Sequence, residues 1–412
     1  MRERCAFLHL GERERYDVFM RLCVVCWLPL DPADSGYKRR VTALYRRVAE
    51  LTEVLVLSPG GRPEGLPWRR IDFGDGDRKS RGGDPLRPKQ RILLSLSKRF
   101  GEVLTKAIED FGPDFVIAEG LWAAPGCRAS VEKLSIPWGI TVHNIEALSA
   151  RGVYLPPLPW ALWQFEKRVY RKANRLFAMT LDEACHLQRA LEPRPPRVTV
   201  VPNGTELPPQ VSRQEIAALR ESWHIREDER IGLFVGKPDY APNRKGLEWF
   251  SRAIFPKIGD LGFRTRWIAV GSPAPRAPIP PFEFVGYLED LHVALAAADC
   301  CISPVRHGSG TSIKILDYFA SARPVVATPR AVRGLPVIPD RQALVSEDPE
   351  EFARFIRMVF LDRDLVRTLG LQGRDLVEGQ FLWSTIAENL VWEVSKALGM
   401  PHSLVAGTPI PE

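Results

Sequence analysis

Short apolar runs alternate with stretches of helical period along almost the whole chain. In the first half the runs fall at residues 22–28, 54–57, 115–118, 138–142, 176–179 and 198–201, and their length and aliphatic, β-branched content read as strands. Helical periodicity fills residues 39–51, 91–111, 161–173 and 181–191. After a polar helical segment at 213–223, further runs follow at 231–235, 267–270, 282–284, 300–302 and 325–326. Continuous apolar strands separated by helices predict parallel sheets covered on both faces, hence an α/β protein. The two βα-rich halves meet near residues 202–209, where Pro202-Asn203-Gly204 supplies turn chemistry. The expected organisation is a disordered extension over 1–19, a Rossmann-like N-terminal domain over 20–205 and a Rossmann-like C-terminal domain over 206–380. A helix over 381–398 is expected to return to the first domain, and 399–412 to form a mobile tail. The Gly-, Pro- and Arg-rich stretch 59–88 reads as a long flexible loop.

One segment carries chemistry. Gly308-Ser309-Gly310-Thr311-Ser312 follows the run at 300–302 and opens a helical pattern from Ile313 to Ala320. A glycine loop that opens a helix presents unpaired N–H groups and the positive end of the helix dipole, so its default guest is an anion such as phosphate. Thr311 or Ser312 is placed to cap the helix. Ile315, Leu316, Phe319 and Ala320 share the face expected to pack on a sheet, while Lys314, Asp317, Tyr318 and Ser321 share the other. Two readings fit that second face. Either Lys314 serves a phosphate and Asp317 accepts from sugar hydroxyls, or the two form a surface ion pair worth about 0.3 kcal/mol.

Composition narrows the class. A chain of 412 residues, 45% apolar and 26% charged, is an ordinary folded protein long enough for two domains. The net charge of +7 points to an anionic partner without choosing among nucleotides, acidic membranes and nucleic acid. Seven irregularly spaced cysteines argue against a disulfide framework and for a reducing compartment, and Cys23 and Cys26 read as strand filling despite their metal-pair spacing. No apolar run reaches the roughly 20 residues of a membrane span, and the first residues lack the pattern of a signal peptide. The expected location is therefore cytoplasmic. Residues 155–175 interleave Trp160, Trp163, Phe165 and Tyr170 with Lys167, Arg168, Arg171, Lys172 and Arg175. That mixture suits peripheral contact with the inner face of a membrane, and equally a helix whose aromatic side packs on the sheet. Asp75-Gly76-Asp77 looks like a metal-binding carboxylate pair but sits in the glycine-rich loop, where it reads as a solvated turn.

Taken in order, Ser35-Gly36 before Lys38-Arg39-Arg40, Thr141-Val142-His143-Asn144, Val201-Pro202-Asn203-Gly204, Phe234-Val235-Gly236-Lys237, Val285-Gly286-Tyr287, the segment Gly308 to Thr328 and Trp383 resemble a family-4-type retaining glycosyltransferase (glycosyl transferases group 1). The resemblance runs over most of the chain. It implies the GT-B fold, two Rossmann-like domains facing across a cleft. It implies a hexosyltransferase that moves a sugar from a nucleotide diphosphate-sugar to a hydroxyl acceptor with retention, in polysaccharide or glycoconjugate biosynthesis. Lys237 and Lys245 match the basic pair that holds the donor diphosphate, the first being more often arginine. His143 matches a histidine that faces the donor sugar, and Gly286-Tyr287 a turn that seats the base. Gly36 belongs to a loop over acceptor and donor, and the segment Gly308, Ser309, Gly310, Thr311, Ser312, Lys314 and Asp317 completes the donor site. In many members two glutamates stand where Ser309 and Asp317 stand here. Backbone N–H groups are expected to take over the role of the first. The resemblance implies no metal or cofactor, no nucleic-acid partner, and an acceptor that includes lipid-linked ones among its candidates. An epimerase of the same fold, or a non-catalytic binding protein that has lost the first glutamate, are the alternatives.

Overall fold

The computed structural model describes residues 20–31, 35–59, 65–70, 98–150, 155, 157–308 and 310–400. The expected extension 1–19, the Asp75-Gly76-Asp77 turn, Ser309 and the tail beyond residue 400 lie outside the described residues. The chain divides into two units, Met1–Pro202 with Trp383–Glu412, and Asn203–Leu382. No helix among the described residues is long and apolar enough to cross a membrane.

The first unit is built on seven parallel strands: β1 (Arg21–Cys26), β2 (Glu53–Ser58), β3 (Trp68–Arg70), β4 (Phe115–Glu119), β5 (Trp138–Val142), β6 (Arg175–Ala178) and β7 (Arg197–Val200). Their order across the sheet is β3-β2-β1-β4-β5-β6-β7. Alternation along β1 shows why the run reads as a strand: Cys23 and Val25 join one core, and Leu22, Val24 and Cys26 the other. Cys23 and Cys26 therefore point to opposite faces, which removes them as a metal or redox pair. One core is closed by helices Lys98–Phe111, Ala124–Leu134 and Leu158–Tyr170, the other by helices Gly36–Val48 and Trp383–Ala397. The expected flexible loop 59–88 needs correction where it is described. Trp68 pairs with Val56 in the edge strand β3, and its indole donates to Ser58 Oγ at 2.6 Å.

The second unit carries β8 (Arg230–Val235), β9 (Thr265–Val270), β10 (Phe282–Gly286), β11 (Cys300–Ser303), β12 (Val325–Ala327) and β13 (Leu344–Val345), all parallel, in the order β10-β9-β8-β11-β12-β13. Helices Leu291–Ala297 and Ile313–Ala320 cover one face, and Ala241–Trp249 and Pro349–Leu361 the other. In each sheet the strand order reverses once next to the first strand, between β1 and β4 and between β8 and β11. The carboxyl ends flanking such a switch point are where open α/β sheets hold ligands.

Candidate active site

At the switch point of the first sheet, β4 ends on Glu119, a carboxylate almost completely enclosed. Two segments supply its partners, helix Gly36–Val48 and the end of β5. The Tyr45 hydroxyl, from helix Gly36–Val48, donates to Oε1, as does Thr141 Oγ1 on β5 at 2.7 Å. His143, just past the end of β5, places Nε2 2.6 Å from Oε2. Burial alone would push Glu119 up, but His143, Arg40 and the Tyr45 bond outweigh it and hold the carboxyl below its ordinary value. An ionised carboxylate can only accept, so Nε2 of His143 carries the proton, and in the neutral ring Nδ1 is the acceptor. The Tyr37 ring packs against the imidazole with centroids 4.7 Å apart. Gly120, at φ +97, turns the chain beside it.

The backbone after His143 is also anchored. Glu166 is fully buried and accepts from Glu146 N at 2.8 Å, Ala147 N at 3.0 Å and the Tyr170 hydroxyl at 3.1 Å. It thus caps, from a distant helix, the short helix Glu146–Ala150 that follows His143. Ser35 caps helix Gly36–Val48 and leaves Gly36 exposed at its start. Arg40, read from sequence as part of a basic run, is buried and donates to the carbonyls of Val201 and Pro202.

The second switch point gathers the other candidates. Gly236 follows β8 at φ +145, and a Cβ there would stand 2.8 Å from both Asn243 Nδ2 and Lys314 Nζ. Asn243 donates to the Lys237 carbonyl at 2.9 Å and accepts from Lys314 Nζ at 3.0 Å. The Lys314 ammonium lies 4.0 Å from the centroid of the Phe234 ring. Gly271, after β9 at φ +149, approaches so closely that its Cβ would stand 2.3 Å from the Gly236 carbonyl, and its N–H donates to Gly286 O at 2.7 Å. Gly308 and Gly310 take φ +126 and +73, and Arg330 binds both of their carbonyls. Thr311 Oγ1 accepts from Asn203 Nδ2 at 2.6 Å, Ser312 is the N-cap without a side-chain bond, and Asp317 Oδ1 accepts from Thr205 Oγ1 at 2.8 Å.

The helix Ile313–Ala320 corrects the expected division of faces. Asp317 and Tyr318 are buried, not on an outward face. The Tyr318 hydroxyl accepts from Val235 N at 2.8 Å and donates to Ile302 O at 3.4 Å, joining β8 to β11 at the switch point. Among the sequence candidates, Gly236, Lys237 and Lys314 converge through Asn243. Lys245 is exposed on helix Ala241–Trp249, and Tyr287 is 66% exposed beside the open Gly286 turn. In helix Leu158–Tyr170, Trp163 and Phe165 pack on the core and Tyr170 is buried within it, whereas Trp160 is 66% exposed. Sequence reasoning missed Glu119, Glu166, Asn243 and Arg330. Only Glu119 left a signal, as a carboxylate ending an apolar run.

Two parallel-sheet α/β units of this kind define the GT-B class. Sucrose-phosphate synthase from Thermosynechococcus elongatus shares the fold with a TM-score of 0.73 at 18% identity, over 92% of this chain and 99% of that one. HepE from Anabaena, solved with UDP-glucose, gives 0.69 at 13% identity, over 92% and 100%. The glycosyl transferase 4-like domain matches residues 35–204, and the glycosyl transferases group 1 family matches residues 229–362. Both halves of the chain thus match glycosyl transferase family models. A D-inositol 3-phosphate glycosyltransferase from Geodermatophilus obscurus is 30% identical over 287 residues, 63% of this chain and 61% of the relative. Its counterpart from Nocardia farcinica is 25% identical over 302 residues, 67% and 65%. The matched stretch thus spans less than two thirds of either relative's length.

Proposed function

We propose that this protein transfers a sugar, of the hexosyl type, from a nucleotide diphosphate-sugar to a hydroxyl acceptor with retention, in polysaccharide or glycoconjugate biosynthesis. The observation that carries the proposal is the convergence of the Gly236–Lys237 turn, Asn243 and Lys314 at the switch point of the second sheet, beside the helix that the glycine loop opens. HepE, whose fold is shared, was solved with UDP-glucose and with UDP. Lys237, Lys245 and Lys314 supply positive charge for the diphosphate as the glycosidic bond breaks, the electrostatic form of catalysis. Gly308, Gly310, Thr311 and Ser312 offer backbone N–H groups, Gly286-Tyr287 the seat for the base, and Asp317 an acceptor for ribose hydroxyls. In the first unit, Gly36 opens the acceptor-side helix and His143, fixed by Glu119, offers Nδ1 to a hydroxyl of the transferring sugar.

In this reading lysines carry the charge that a metal would otherwise carry, so turnover in the presence of EDTA equals turnover without it. The test is a panel of nucleotide-sugars screened by thermal shift and donor hydrolysis, with D-inositol 3-phosphate among the acceptors because the relatives bear its name. A panel in which no nucleotide stabilises the protein overturns the proposal. Leu155, Leu158 and Trp160, exposed at 85%, 47% and 66%, favour a lipid-linked acceptor reached from a membrane surface. Co-sedimentation with anionic vesicles, lost in Trp160→Ser, checks that part separately.

A further inference from the structure

The surroundings of Lys314 are unusual for an ammonium. It is the second residue of helix Ile313–Ala320, and its side chain runs back against the end of β8. The amine occupies the space left by the missing side chain of Gly236, since a Cβ there would stand 2.8 Å from Nζ. Asn243 donates its amide hydrogens to Lys237 O at 2.9 Å, which turns its carbonyl oxygen to Nζ at 3.0 Å. Three N–H donors thus meet one neutral oxygen and one aromatic face, that of Phe234 at 4.0 Å.

Among the described residues, the groups packed around it add no compensating charge. From β8 comes the Phe234 ring, from the turn after it the Gly236 backbone, and from helix Ala241–Trp249 the Asn243 amide. On its own helix, Asp317 accepts from Thr205 and the Tyr318 hydroxyl accepts from Val235 N. Lys237 on the adjoining turn and Lys245 on the helix after it are cations themselves. The residue is half-buried, and an ammonium with so few polar partners is destabilised until an anion arrives.

We propose that Lys314 takes up a proton from solvent as the donor's diphosphate binds, so that the protein holds its donor more tightly as pH falls through the neutral range. The inference rests on the donor-site reading given under Proposed function. Burial pushes the Lys314 ammonium down to about 7, so near neutral pH much of the free protein carries it as the amine. A bound diphosphate stabilises the ammonium and raises that value. No covalent bond changes: the amine gains one proton, and the buffer loses one. The sign follows from linkage. At about pH 6 the group is already charged and little proton is taken up, whereas at about pH 8 uptake approaches one proton per donor. Above its free-state value, affinity falls up to about tenfold per pH unit until the bound-state value is reached.

The experiment uses the nucleotide-sugar that gives the largest thermal shift in the panel. A nucleotide-sugar is chosen over a free nucleoside diphosphate because a terminal phosphate titrates near pH 6 by itself. Binding enthalpy is measured by calorimetry in buffers of different ionisation enthalpy, at about pH 6 and about pH 8, and the slope gives the protons taken up. The wild type is expected to show uptake that grows from the lower pH to the higher. Lys314→Arg, charged throughout, is expected to bind without uptake, and Lys314→Met to bind at least about tenfold more weakly. Binding with no proton uptake at either pH, or uptake that persists in Lys314→Arg, overturns the inference and leaves the donor reading standing. A panel without any stabilising nucleotide-sugar overturns both, and the melting curves alone reveal it.

Discussion

His143 and Glu119 are joined by a 2.6 Å contact between Nε2 and Oε2, and the carboxylate that fixes the imidazole is itself 2% exposed and held by Tyr45 and Thr141. The orientation of His143 is therefore set from beneath, by a group that no ligand needs to touch. Glu119→Gln keeps the volume but offers one oxygen to donors that now share two. Transfer should slow by about 100-fold through misplacement of the ring, and stability should fall by about 1–3 kcal/mol from donors left unpaired. His143→Gln should slow transfer without the same loss of stability. Turnover and thermal unfolding of both variants check this; normal turnover in Glu119→Gln removes His143 from the mechanism.

The strands were legible because their apolar runs are short, aliphatic and bounded by turns; the site was legible only in part. Helix Ala124–Leu134 is not among the elements expected from the sequence, and it carries Pro125 and Gly126, residues typical of turns. In the structure Pro125 occupies the first turn, and Gly126 is small because the Phe100 ring lies where its Cβ would be, 2.1 Å from Cε1. Lys314 was visible as a cation on a glycine-loop helix, but its packing over the Phe234 ring depends on a strand some 80 residues earlier. Tyr318 was misplaced on an outward face for the same reason, since its partner Val235 belongs to β8. Glu119 collects partners from two other segments, and no periodicity along one segment reports such a convergence.

The turn at Gly236 depends on a second glycine. A Cβ on Gly271 would stand 2.3 Å from the Gly236 carbonyl, at φ +149, so Gly271→Ala must displace the turn that carries Lys237. Gly286, at φ +80, has open space around it. The expected contrast in stability is a loss of about 1–3 kcal/mol for Gly271→Ala against only the backbone strain of about 1 kcal/mol for Gly286→Ala, and Gly271→Ala also binds the nucleotide-sugar at least about tenfold more weakly. Melting temperatures and donor titrations of the pair test it. Equal effects would show that the close approach of the two glycines is immaterial.

Two buried carboxylates shift in opposite directions and predict opposite pH dependences. Glu119 lies below its ordinary value near 4.5, so its contribution is present above that value and fades as pH falls through the depressed one. Glu166 is pushed up to about 7, chiefly by burial, against the pull of the Ala147 and Glu146 N–H groups and the Tyr170 hydroxyl. Its contribution is full below the unfolded value of 4.5 and is lost as pH rises through about 7. Glu166→Gln removes that titration. The melting temperature of the wild type relative to this variant should therefore decline between about pH 5 and about pH 8, an effect of order 1–3 kcal/mol. A difference that is flat or rises with pH contradicts the assignment.

Asp317 separates a packing role from a ligand role. It is 6% exposed, and one of its oxygens accepts from Thr205 at 2.8 Å. A carboxylate has about four lone-pair sites, and the proposed donor site assigns part of that capacity to ribose hydroxyls. Asp317→Asn preserves shape and can still accept from Thr205, but loses the charge that strengthens a bond to a hydroxyl. A charge-assisted bond to the donor, weakened by about 1.4 kcal/mol, raises the donor KM about tenfold and leaves kcat nearly unchanged. Thr205→Val removes the internal bond and keeps the carboxylate, so it should lower the melting temperature and hardly alter KM. If Asp317→Asn instead melts lower with an unchanged KM, the residue serves the fold alone, and the ribose must be bound elsewhere.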